Sequence, residues 1–159
     1  MSRALLIIDV TDFYLNQHRG VVDIPIFIQN IVHRVVNGND DLVVFFTDFI
    51  TAKFPNEFSE LLAKYGPAKY KTAFSAFDFD PAESELYELL QENGVDELEV
   101  CGLYANWCVA DTVQDALKLG YKVNLNPTII LGENGRIRPD LSHWNKLGAM
   151  VISPMKIAV

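Results

Sequence analysis

"LEVCGLYANWCVADTVQDALKLGYKVNLN", residues 98–126, carries the pattern that decides the fold. Residues 98–103 are a short apolar run, 107–120 read as a helix, and 121–126 return to a strand-like run. Strand, helix and strand in succession make a crossover unit, the connection that joins parallel strands. Inside it, Cys108 stands just within the start of the helix, where a thiol is either packed or reactive.

The same alternation continues on both sides. "ALLIID" (4–9) is a continuous apolar run, as expected of a parallel strand covered on both faces. "DIPIFIQNIVHRVVNG" (23–38) reads as a helix, with Asp23 as cap, Pro25 in the first turn and Gly38 as the stop. "DLVVFFTD" (41–48) is a second buried strand, and "NEFSELLAKYG" (56–66) a short helix. "DPAESELYELLQENG" (80–94) reads as a helix capped by Asp80, with Pro81 first and Glu83 completing a D-x-x-E box. "PDLSHWNKLG" (139–148) and "AMVIS" (149–153) close the series as helix and strand. The expected order is β-α-β-α-α-β-α-β-α-β. It describes a single domain over residues 1–159, a doubly wound parallel α/β sheet with helices on both faces.

Bulk properties narrow the function. The chain has 159 residues, half of them apolar, enough for one real core. A net charge of −8 with no basic run argues against a nucleic-acid groove. No segment approaches the ~18 apolar residues of a membrane helix, and the N-terminus lacks a signal-peptide pattern. The only cysteines, Cys101 and Cys108, have neither a disulfide framework nor a C-x-x-C spacing. The expected setting is the reduced cytoplasm, with a small-molecule partner and neither nucleic acid nor membrane.

In open parallel sheets, ligands bind beyond the carboxyl ends of the strands. That rule selects Asp9, Asp48 and the 102–106 segment leading to Cys108. A helix start favours thiolate over thiol, but a free thiol near pKa 8.5 still needs a base or cation beside it. Asp9 supplies a base. Lys71, in "YKTAFSAF", is a candidate cation because an ammonium in apolar surroundings needs a carboxylate partner. Cys101, inside "EVCG", reads as core. Taken singly, each of these residues has an ordinary structural role.

Together the blocks resemble the isochorismatase-like cysteine hydrolases, the superfamily of nicotinamidases and N-carbamoylsarcosine amidases. "ALLIIDVTDF" is similar to that family's opening "ALLVIDxQxDF", and "KTAFSAF" to its "K-x-x-x-S-A-F" block. "GLYANWCVADTVQDALKLGYKV" resembles its "G-x-x-T-x-x-C-V-x-x-T-x-x-D-A-x-x-x-G-Y-x-V" signature, and "HWNKLGAMVIS" its closing segment. The likeness runs over nearly the whole chain in the family's order. It implies a catalytic Asp9, Lys71 and Cys108 that cleave a C–N bond of a small amide through a thioester. It further implies an oxyanion site at the backbone N–H groups of Tyr104 and Cys108, and a cis peptide between Leu103 and Tyr104.

Departures from the family pattern bear on the substrate. Nicotinamidases carry Asp-x-His and a further His for a metal, whereas here Asp48 is followed by Ile50 and no His occurs until His143. A lone carboxylate is a poor transition-metal site, so no metal and no cofactor are expected, and nicotinamide becomes a less expected substrate. The first block is one residue short and lacks the family's Gln. Ala105 replaces Thr, and Asn126-Pro127 stands where an acidic residue often follows the fourth strand. Family isochorismatases commonly lack the cysteine, so Cys108 favours amide over vinyl-ether cleavage; a non-catalytic binding protein with a degenerate pocket is the alternative. Phe13, Tyr14, Phe49 and Trp107 are expected to flank the pocket. His18 reads as a loop residue, His33 as structural, and His143-Trp144 as packing or a subunit contact in a homo-oligomer.

Overall fold

The computed structural model describes residues 2–48, 52–136 and 139–152. Its strands are β1 (Ser2–Ile8), β2 (Leu42–Thr47), β3 (Lys69–Tyr70), β4 (Val95–Leu103), β5 (Lys122–Leu125), β6 (Ile130–Leu131) and β7 (Met150–Val151). Its helices are α1 (Asp12–Asn16), α2 (Ile24–Asn37), α3 (Ser59–Tyr65), α4 (Glu85–Glu92), α5 (Cys108–Lys118) and α6 (Ser142–Lys146). The strands make one sheet in the order β3-β2-β1-β4-β5-β7, with β6 added beside β4, and every pairing is parallel. Strand order reverses between β1 and β4, which creates the crevice where such sheets bind ligands.

β1 lies at the centre because its side chains have nowhere else to go. Ala4, Leu5, Leu6, Ile7 and Ile8 are all fully buried, and successive side chains point to opposite faces, so both faces are covered. On α2, Ile24, Phe27, Ile28, Ile31 and Val35 form the buried stripe, each large side chain worth roughly 1.5–3 kcal/mol before chain entropy is counted. Asp23 caps this helix by accepting from Ile26 N at 3.1 Å, as its sequence predicts. On the same helix Arg34 reaches Asp40 at 2.6 Å and Glu99 at 3.1 Å, neutralising two buried carboxylates. No helix among the described residues is long and apolar enough to cross a membrane.

Three elements escape the periodicity reading: α1, β3 and β6 are too short for a pattern to show. The 80–94 helix also begins later than its Asp-Pro signal suggests. Residues 81–83 form a single 3-10 turn, and Ser84 is the cap, its hydroxyl accepting from Tyr87 N at 3.1 Å. The 139–148 segment condenses to α6, and Ser153 of the expected last strand lies outside the described residues.

One glycine sets the spacing beneath the site. Gly102 on β4 pairs with Ile8 on β1 and has φ +110°, a conformation that L side chains rarely adopt. A Cβ there would fall within 2.1 Å of the Ile8 carbonyl oxygen. The close approach of these two strand ends brings the segments after β1 and β4 together.

Candidate active site

Asp9 follows β1 directly and takes a left-handed conformation, φ 54°, which aspartate tolerates better than most residues. Its N–H donates to Phe46 O at 3.1 Å, and its carbonyl accepts from Thr11 N at 2.9 Å. Lys71 follows β3 and donates its N–H to Thr47 O at 2.9 Å. Cys108 opens α5, and the turn before it is closed by Trp107 N and Val109 N on Tyr104 O. Thr112, one turn further along, donates to Cys108 O at 2.7 Å and accepts from Ala76 N at 2.9 Å, tying the helix to the 71–77 segment.

The three side chains meet. Lys71 Nζ lies 3.0 Å from Asp9 Oδ2, 3.3 Å from Cys108 Sγ and 3.2 Å from Ala73 O. An ammonium has three donors, and all three are taken. Asp9 and Lys71 are 3 % and 6 % exposed, so the pair is held out of water. Among the described residues the buried Asp9 Oδ1 has no hydrogen-bond partner and is therefore the open acceptor of the cluster.

Burial and the Asp9 carboxylate push the Cys108 thiol up to about 12, against the pull of Lys71. The helix start alone favours the thiolate, but desolvation and a neighbouring negative charge outweigh it. At neutral pH the sulfur is therefore held mainly as the thiol. Burial lowers the Lys71 ammonium, yet Asp9 and Cys108 hold it above its ordinary value. Burial raises the Asp9 carboxyl, and Lys71 opposes the shift. The resting cluster is a thiol, a carboxylate and an ammonium.

Two clefts meet at Cys108 and share Tyr14 and Phe74 as walls. One, about 430 Å³, is lined by Asp9, Leu103, Tyr104, Trp107, Glu133 and others. The second, about 630 Å³, runs between the 71–79 segment and α5. The Leu103–Tyr104 peptide is cis, as the family resemblance implies. Among the described residues, neither Tyr104 N nor Cys108 N donates to a protein acceptor, which leaves both available beside the sulfur. A similarly sized cleft between β3 and α4 is lined by no cysteine, serine or threonine among the described residues.

The expected pocket residues separate. Tyr14 lines both clefts and donates to Asp48 Oδ2 at 3.0 Å; burial and Asp48 raise its phenol well above the ordinary value, so it remains a donor. Trp107 lines the smaller cleft, with Nε1 donating to Glu133 Oε2 at 2.5 Å. Phe13, 55 % exposed, is not among the residues lining either cleft; it turns outward from α1 and packs edge-on against Tyr14. Phe49 and Ile50 lie outside the described residues. His18 lies in the turn after α1, as expected of a loop residue, but it is buried there and its Nε2 pairs with Tyr104 OH at 2.7 Å. His33 lies exposed on α2. Among the described residues no three His, Cys, Asp or Glu side chains could together hold a metal ion, and Asp48 already accepts from Tyr14. That donor set does not fit a transition metal.

Periodicity also misses Phe74, Asp111 and Asp115 as cleft residues. The two aspartates were findable, three and seven positions after Cys108 and hence on its face of the helix. His18 carried no such signal, since its partner is 86 residues away.

A parallel sheet with a carboxylate, an ammonium and a thiol gathered at its switch point defines a class, the α/β proteins built like isochorismatase-type hydrolases. The isochorismatase domain model matches residues 3–126, and the chain belongs to that family. A 56-residue segment, 33 % of this chain, is 46 % identical to the nicotinamidase of Escherichia coli (strain K12) and spans 26 % of that protein's length. The nicotinamidase of Staphylococcus aureus superposes with a TM-score of 0.74 at 24 % identity, covering 96 % of this chain and all of the other. An isochorismatase-like hydrolase from Alkaliphilus metalliredigens gives 0.66 at 21 % identity, covering 96 % of this chain and 95 % of that one. These structural likenesses establish the shared fold.

Proposed function

We propose that this protein is a metal-independent cysteine hydrolase that cleaves a C–N bond of a small amide. One observation carries the reading: a single buried ammonium lies 3.0 Å from a carboxylate and 3.3 Å from a thiol, beside an open cleft. Membership of the isochorismatase family supports hydrolysis, and the segment shared with a nicotinamidase supports amide chemistry.

The resting thiol is protonated, so its proton leaves as the sulfur attacks. It passes to Asp9, whose Oδ1 is the open acceptor, while a new C–S bond forms at the amide carbonyl. The carbonyl oxygen becomes an oxyanion that Tyr104 N–H and Cys108 N–H stabilise. On collapse the C–N bond breaks, and the amine departs with the proton from Asp9, leaving a thioester. Asp9 then deprotonates water, the hydroxyl oxygen bonds to the acyl carbon, and the C–S bond breaks. The sulfur recovers the proton, so the net reaction is amide plus water to carboxylic acid plus amine. Lys71 keeps Asp9 charged between steps and offsets the charge on sulfur.

The missing metal-site histidines direct the reading away from nicotinamide. The test is ammonia or amine release across a panel of small amides, with rapid quenching and mass spectrometry for an acyl group on Cys108. Wild type should turn over and acylate; Cys108→Ala should fold normally and do neither. Amide turnover surviving that replacement would remove Cys108 as the nucleophile and favour hydrolysis without a covalent intermediate. A folded protein inert across the panel would favour a binding role.

A further inference from the structure

The larger cleft has an unbalanced charge. Cys108, Asp111 and Asp115 are spaced i, i+3 and i+7 on α5 and share one stripe facing it. Asp48 and Asp78 line the same cleft. Among the described residues its one cationic lining residue is Lys71, whose three donors are already committed to Asp9, Cys108 and Ala73. The carboxylates of Asp111 and Asp115 make no hydrogen bond or ion pair with another described residue. Burial, then the charge of Asp115, holds the Asp111 carboxyl above its ordinary value. Two like charges one helical turn apart repel, and a cation between them removes the penalty.

Two further features point to a ligand. Phe74 and Phe79, 56 % and 82 % exposed, line this cleft, and aromatic faces attract ammonium and guanidinium groups. Cys108 also lines the adjoining smaller cleft, and there the unpartnered Oδ1 of Asp9 marks the reacting position. Among the described residues no three of these carboxylates lie at metal-binding spacing, which suits an organic cation.

We propose that this cleft selects amides bearing a cationic group, an ammonium or guanidinium held against Asp111 and Asp115 while the carbonyl lies at Cys108. The substrate claim rests on the hydrolase reading; the charge selectivity of the cleft is measurable without it.

Two measurements separate these. The first compares kcat/KM for ω-aminohexanamide, hexanamide and the half-amide of adipic acid, which differ in terminal charge. The cation should lead the neutral amide by about tenfold or more, with the anion last, and Asp111→Asn with Asp115→Asn should cut that lead about threefold or more. The second converts Cys108 to a mixed disulfide with aminoethyl and sulfonatoethyl methanethiosulfonate, methanesulfinate leaving; Cys101 is fully buried and out of reach. Relative to mercaptoethanol, the cationic-to-anionic rate ratio should be about tenfold higher, and should shrink with added salt and in the double variant. A reagent ratio equal to that of mercaptoethanol, or a preference for the neutral or anionic amide, overturns the proposal. A retained reagent ratio with no amide turned over overturns the hydrolase reading and leaves the cation-selective cleft standing.

Discussion

Replacing Asp9 with Asn should make Cys108 a stronger acid and a worse catalyst. The substitution keeps the shape of the side chain and removes its charge and its role as a base. Asp9 Oδ2 and Cys108 Sγ each contact the same lysine nitrogen, at 3.0 and 3.3 Å, so they are no more than about 6 Å apart. At about 6 Å, two unit charges repel by about 0.7 kcal/mol in a water-like medium and about 3 kcal/mol at an effective dielectric near 20. That is about half a pH unit to two pH units, and the burial of the pair favours the upper end. The sign is fixed: a carboxylate near a sulfur opposes its ionisation, so removing the carboxylate lowers the thiol from about 12 toward about 10. The assay is a pH titration of thiolate ultraviolet absorbance, with a Cys108→Ser protein subtracted to remove tyrosine. Amide hydrolysis by the same variant should fall about 10²–10⁴-fold, the usual loss when a general base is removed. A thiol ionising at or above the wild-type value would refute the electrostatic account. Undiminished turnover would refute the assignment of Asp9 as base.

Other expected outcomes follow from the same geometry. Lys71→Met leaves Asp9 buried and unpaired, so Asp9 should bind a proton at neutral pH and turnover should drop about 100-fold or more, read by steady-state kinetics on an otherwise folded protein. Because Asp9 titrates above its ordinary 3.8, kcat/KM should be lost on acidification at a higher pH than an exposed aspartate would give; a pH profile flat to below 3.8 would count against this. Gly102→Ala adds a Cβ within 2.1 Å of the Ile8 carbonyl at positive φ, which should cost about 3 kcal/mol or more and lower Tm by about 6 °C or more. Thr112→Val strands the buried Ala76 N–H, with a loss of about 1–3 kcal/mol by denaturant unfolding and a matching decline in kcat as the Cys108 turn loosens.

The central layer was legible because its signal is local. Five consecutive buried residues in β1 must be covered on both faces, and the 98–126 crossover needs only a window of strand, helix and strand. The Asp9 and Cys108 positions were legible too, since strand ends in a parallel sheet locate the crevice without any coordinates. Two-residue strands such as β3 and β6 carry no period to detect. Their existence depends on neighbours supplied by other parts of the chain: Phe46 for Lys69, and Gly102 for Ile130.

By itself, the sequence determined the longer strands and helices, and which residue types stand at the ends of those strands. Tertiary structure alone decided the charge on the sulfur. The helix start pulls toward thiolate, but how deeply Cys108 is buried and how close Asp9 comes depend on segments a hundred residues apart, and these push it the other way. Outward-facing Phe13, the His18–Tyr104 pair and the acidic stripe of α5 opposite Phe74 were decided in the same way. Periodicity reports which side of an element avoids water. Charge, proximity and desolvation depend on distances through space, which exist only once the chain has folded.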